Sequence, residues 1–183
     1  MRRLPLLAAL ALAACTPESQ APAAIPRAAS PEQLAERLPQ EAAGFRRGVS
    51  APISEPFPGR EVAYATPSRT AAAFVQVIGP GGAPLPDGPS SPAAQAEFAR
   101  WRDDTARGTG PHRRLRIVGE SERAGLFRCA DLEGSYGRQP VQSMICVGAA
   151  AGQMIRIRLS MPRRDTPAAD TTAFLSAIAA SVR

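Results

Sequence analysis

Hydrophobic positions recur along this chain with two periods, and the order in which the periods change lays out a domain. Ser30-Pro31-Glu32-Gln33 predicts a helix start, with Ser30 as the cap, Pro31 at the first helical position and Gln33 completing a capping box. Leu34 and Leu38 share one face, and Pro39 and Gly44 end the helix. Gly44 to Ile53 and Arg60 to Ala65 read as strands, connected through Pro52, Pro56 and Pro58. Thr70 to Ile78 is an almost unbroken apolar run, the pattern of a central strand covered on both faces. Gly79 to Ser91 is a loop rich in Gly and Pro. Its prolines, and its distance from the next helix, do not suit a phosphate-binding loop. Ser91-Pro92 opens a second helix, with Ala94, Phe98, Trp101 and Thr105 as its core stripe and Arg100, Arg102, Asp103 and Arg107 outside. Trp101 is expected in the core rather than as a ligand platform. Gly108 to Pro111 stops the helix.

The second half of the chain alternates with period two. His112 to Val118 puts Leu115 and Ile117 on one face and Arg114 and Arg116 on the other. Leu126 to Val147 reads as a hairpin with Gly137-Arg138 at its tip, since Gly in the first loop position favours a type II′ turn. Tyr136 then faces Gln139, and counting outward sets Cys129 opposite Cys146 in a non-hydrogen-bonded pair, where Cα atoms come within about 4.5 Å. That spacing lies at the near edge of disulfide geometry. Pro140 falls opposite Ser135 in another such pair, where its missing N–H is not needed. Ala149 to Gly152 turns the chain into Gln153 to Leu159, with Ile155, Ile157 and Leu159 against Met154, Arg156 and Arg158. Thr166-Pro167 is expected to open a final helix with Asp170 near its positive end and a stripe of Phe174, Leu175, Ile178 and Val182. Runs of strands with segregated helices predict an α+β fold, a single antiparallel sheet with helices packed on it. This element order, from about Gly44 to Arg183, is similar to the PsbP-like α/β/α sandwich, which implies a fold and no reaction.

Residues 1–14 have a different character. Met1-Arg2-Arg3 is a positive start, and Leu4 to Ala14 is an apolar run too short to span a bilayer. It ends Leu12-Ala13-Ala14-Cys15, which resembles the lipobox of bacterial lipoproteins. The resemblance implies cleavage before Cys15 and its modification with acyl chains (diacylglycerol and palmitate). Thr16, in place of the Asp that marks inner-membrane retention, implies an outer-membrane, periplasm-facing protein. The alternatives are an inner-membrane anchor, or ordinary cleavage after Ala14 leaving a soluble periplasmic protein with a free Cys15. Residues 15–29, rich in Pro and Ala, are expected to be an extended tether, and residues 30–183 the single domain. The whole layout resembles small proteobacterial outer-membrane lipoproteins.

Composition narrows the chemistry further. The formal charge is +6, and losing Arg2 and Arg3 with the leader lowers it by two. The chain has neither Lys nor Asn, so a Walker A lysine, a Schiff base and a kinase-type lysine are excluded. With a single His, no site needing two histidine ligands can form, and no metal or other cofactor is expected. If Cys129 and Cys146 are bridged and Cys15 is acylated, no thiolate is left as a nucleophile. Arg114, Arg116, Arg156, Arg158, Arg163 and Arg164 are read first as solvated outer faces with salt bridges, in a chain that uses Arg for every cation. The alternative is one basic face for anionic lipid headgroups, lipopolysaccharide or an acidic envelope partner. Nucleic acid does not fit the compartment. Three functions follow, in descending order. The first is a non-catalytic binding module that meets an envelope protein or ligand and reaches the membrane through its acyl chains. The second is a structural or assembly accessory of the outer membrane. The third is a small hydrolase using His112 with Asp131 or Glu133.

Overall fold

The computed structural model describes residues 29–107 and 113–183. Cys15, the leader, nearly all of the tether and His112 lie outside the described residues. The elements in order are α1 (Pro31–Arg37), β1 (Glu41–Ala42), β2 (Phe45–Ile53), β3 (Gly59–Ala65), β4 (Ala72–Ile78), α2 (Pro92–Arg107), β5 (Arg113–Arg123), β6 (Phe127–Tyr136), β7 (Gln139–Ala150), β8 (Gln153–Pro162) and α3 (Thr171–Val182). The eight strands form one curled antiparallel sheet in the order β1-β2-β3-β4-β8-β7-β6-β5, and the fold is α+β. Only the β4–β8 pairing joins strands distant in sequence. It fuses a β1–β4 meander to a β5–β8 meander.

Period-two alternation sends buried side chains to both faces of this sheet. On one face Phe45, Val62, Tyr64, Val75, Val77, Phe127, Cys129, Cys146, Ile155 and Ile157 pack with Leu34 and Leu38 near α1 and with Phe174, Leu175, Ile178 and Val182 of α3. On the other face Ala94 and Phe98 of α2 pack with Leu115, Ala130, Leu132, Val141, Ile145 and Val147. Phe174 meets Phe45 at 4.8 Å and Tyr64 at 5.3 Å between ring centroids, the tilted and edge-on contacts aromatic pairs prefer.

The hairpin register is the expected one. Tyr136 opposes Gln139, Ser135 opposes Pro140, and Cys129 opposes Cys146. Gly137, at φ +59°, opens the two-residue turn. The cysteine Cα atoms are 4.1 Å apart, and the sulfurs are bonded at 2.07 Å. Three other turns use an Ala-Gly pair with both residues at positive φ: Ala43-Gly44, Ala124-Gly125 and Ala151-Gly152. Two consecutive positive-φ residues make a type I′ turn, which normally takes Asn, Asp or Gly at its first position.

The structure differs from expectation at four places. Glu41–Ala42 forms a short edge strand where only a helix end is legible in sequence. β4 is interior but is not covered on both faces. Ala73, Val75 and Val77 are buried, whereas Ala72, Phe74 and Gln76 are half-buried, because α2 covers only the β5–β7 side. The loop after β4 is pinned to the β7–β8 turn: Gly88 pairs with Ala149, Leu85 with Gly152, and Asp87 Oδ1 accepts from the Ala151 N–H at 2.9 Å. Finally, α3 begins at Thr171 and not at Thr166-Pro167. Asp170 is the N-cap, its Oδ1 accepting from the Ala173 N–H at 3.0 Å, so it outcompetes the earlier Thr as the start signal.

Candidate binding cavity

The two faces decide where open space remains. On the α1/α3 face, three neighbouring strands carry their side chains in rungs. The rung Cys129–Cys146–Ile157 is fully buried. The next rung toward the hairpin tip is Asp131–Met144–Leu159, and the next is Glu133–Gln142–Met161. Along β6 the inward face thus changes from Phe127 and Cys129 to Asp131 and Glu133 within one strand. At these two rungs the sheet is not closed over. A cavity of about 600 Å³ remains there, bounded opposite by Pro167, Ala169, Asp170 and Thr171 at the start of α3. A β-bulge in β5 between Ile117 and Gly119 turns Val118, 44% exposed, toward the same space.

The cavity therefore has an apolar floor, Met144, Leu159 and Met161, each buried, and a rim of charged and polar groups. Asp131 is ion-paired with Arg123. Glu133 Oε2 accepts from Arg116 Nη2 and from Arg163 Nη1, both at 3.2 Å. Arg116 and Arg163 are exposed, and the Asp131–Arg123 pair is half-buried; the pairs fix where the carboxylates point more than they add stability. An apolar floor with a few convergent polar groups, at this volume, is the form of a small-molecule site. The thioether side chains of Met144 and Met161 also adapt to differently shaped apolar ligands.

The residues singled out in the sequence are brought together only in part. Asp131 and Glu133 do share the cavity. The six arginines do not form one basic face. Arg116 and Arg163 sit on the cavity side, held by Glu133, whereas Arg156 and Arg158 lie on the α2 side of the sheet. The reason is parity: Arg156 and Arg158 are set beside Val147 and Ile145, which face α2, and Arg116 is set beside Glu133, which faces away from it. Arg114 and Arg164 are exposed. Arg156 is largely desolvated. Its side chain is 15% exposed, it pairs with Glu97 at 3.1 Å, and its guanidinium lies 4.3 Å from the Trp101 ring centroid. Burial lowers its pKa from the ordinary arginine value, partly offset by Glu97. Trp101 is partly buried and packs against the α2-side core.

Sequence reasoning missed Pro167, Ala169, Asp170 and Thr171 as a wall of the cavity, and Arg123 and Arg163 as the ion-pair partners of its carboxylates. The legible signal was the change from apolar to acidic along one face of β6, which marks where the cover of that face ends. Among the described residues no group of three or more His, Cys, Asp or Glu side chains is arranged to hold a metal ion. No described helix is long and apolar enough to cross a membrane. No protein-family model matches the chain, and no curated protein matches it.

Proposed function

We propose that this protein is a lipid-anchored cell-envelope binding module, held through an acylated Cys15 in the outer membrane and facing the periplasm, whose domain takes a small amphipathic ligand in the cavity beside α3. The observation that carries the binding role is the cavity itself, with a methionine and leucine floor inside a rim of fixed charges. The export signal and the Cys129–Cys146 bridge agree on an oxidising compartment, where such bonds persist. The Pro/Ala-rich composition of residues 16–29 supports their reading as a tether between the anchor and the domain. The fold reads as an α/β/α layering of the PsbP-like kind, supported by α1 and α3 packing on one face and α2 on the other.

The test is native mass spectrometry of the mature chain extracted from membranes in mild detergent. The wild type is expected to carry a released, non-covalent small molecule. Ala169→Trp, which puts a large side chain into the cavity wall, is expected to lose it. Equal ligand occupancy in wild type and Ala169→Trp refutes the assignment of this cavity.

A further inference from the structure

A second site, independent of the cavity beside α3, lies on the opposite face of the sheet. There α2 leaves the β3–β4–β8 strip partly open, and a cavity of about 180 Å³ is lined by Glu61, Phe74, Gln76, Trp101, Arg156 and Arg158. A liquid water occupies about 30 Å³, so the space holds roughly six waters or an organic molecule of comparable size.

Its polar groups are incompletely satisfied, and in a complementary way. Gln76 and Arg156 are directly paired across β4 and β8. Gln76 Nε2 donates to Glu61 Oε2 at 2.6 Å, and because a carboxylate only accepts, this bond fixes the amide orientation. It leaves Gln76 Oε1 as a buried acceptor with no partner. Across from it, Arg156 Nε is a buried donor with no partner. Buried polar atoms of this kind are rare in folded proteins and point to a missing partner. Two residues further along β8, Arg158 makes a contact with the Phe74 ring at 5.5 Å, and among the described residues no carboxylate pairs with it. The cavity lining thus holds unused donors, Arg158 and Arg156 Nε, beside acceptors, Glu61 and Gln76 Oε1, although Arg156 Nη1 is already paired with Glu97. The aromatic rings of Trp101 and Phe74 flank the two.

We propose that this cavity binds a small zwitterion of the α-amino-acid type, its carboxylate on Arg158 and Arg156 Nε, its ammonium on Glu61 and Gln76 Oε1, and its apolar part against Trp101 and Phe74. A simple anion would leave Gln76 Oε1 unpaired and would face Glu61. A simple cation would meet two arginines. A zwitterion satisfies both sets of groups at once.

Trp101 is the chain's one tryptophan, so its fluorescence reports on this cavity directly. The full mature chain in detergent is titrated with leucine, with 4-methylpentanoate, which keeps the carboxylate alone, and with isoamylamine, which keeps the ammonium alone. Leucine is expected to give a saturable change, and each half-probe to bind at least about tenfold more weakly. Arg158→Gln and Glu61→Gln are each expected to weaken leucine at least about tenfold, and Asp131→Asn, in the other cavity, to leave it unchanged. Glu61→Gln keeps the side-chain shape, so it reads the site even if Arg158→Gln folds poorly. The proposal is overturned if leucine gives no saturable change up to about 10 mM. It is overturned equally if 4-methylpentanoate binds as tightly as leucine, or if Glu61→Gln binds leucine as the wild type does.

Discussion

Reducing the Cys129–Cys146 bond should cost the domain about 3 kcal/mol, and the structure says where that figure comes from. The cysteines are 17 residues apart, and cross-linking a loop of that length removes chain entropy from the unfolded state equivalent to roughly 3 kcal/mol at 25 °C. Both residues are fully buried in the sheet, and the register that opposes them is set by the Gly137 turn, so the folded state keeps its shape when the bond is open. The loss should therefore appear as a change in the unfolded chain. The assay is urea unfolding of the oxidised protein against protein unfolded with a phosphine reductant and refolded in it. With a urea slope near 2 kcal/mol per molar, the midpoint should fall by about 1.5 M. Cys129→Ala/Cys146→Ala should fall further, by roughly another 1–2 kcal/mol, because it also removes two buried sulfurs. A reduced wild type whose midpoint lies within about 0.3 M of the oxidised one would refute the chain-entropy reasoning.

Four further outcomes follow from local geometry. Tyr64 is buried and donates its hydroxyl to the Pro39 carbonyl at 2.8 Å, and desolvation raises its pKa to about 12, with Arg47 opposing the shift. The folded value lies above the unfolded one, so stability is intact below pH 10 and falls by about 2–3 kcal/mol as pH rises toward 12. Unfolding curves should show that slope in the wild type and lose it in Tyr64→Phe. Changing Ala43, Ala124 and Ala151 to Asn relieves positive-φ alanines and should add up to about 1 kcal/mol per site, read as a Tm rise of about 2–4 °C each. Gly148→Ala would set its Cβ on the Leu126 carbonyl oxygen, a backbone atom that cannot step aside, and should cost about 2–3 kcal/mol or more. Gly82→Ala, whose Cβ meets nothing within 4 Å, should be close to neutral by the same thermal melts.

What was legible in the sequence was local. The Gly137 turn and the parity of the flanking strands set the cysteine register, since each inference needed only neighbours in the chain. The α3 stripe, Phe174 to Val182, was legible for the same reason. The rest depended on contacts far apart in sequence. The pairing of β4 with β8 decides that Phe74 and Gln76 stay half-open, and nothing within β4 shows that α2 stops short of it. The seven-residue α1 looks marginal alone. It is held by Arg47, whose guanidinium donates to the carbonyls of Ala35, Glu36 and Leu38 at 2.9, 3.4 and 2.7 Å. A forked guanidinium can cap three carbonyls at once, which a lysine ammonium does less well. An all-Arg cation set is thus used structurally here, although no local pattern announces it. The cavity was half legible: Asp131 and Glu133 were singled out, though only as carboxylates that could serve His112, and the wall supplied by Pro167 to Thr171 needed the true start of α3.

The most direct test of the anchored, disulfide-bonded binding module is the intact mass of protein extracted from membranes and alkylated with and without prior reduction. The expected result is a chain beginning at an acylated Cys15, with two alkylations appearing only after reduction. A chain that retains Met1, or one whose Cys129 and Cys146 alkylate without reduction, would contradict it.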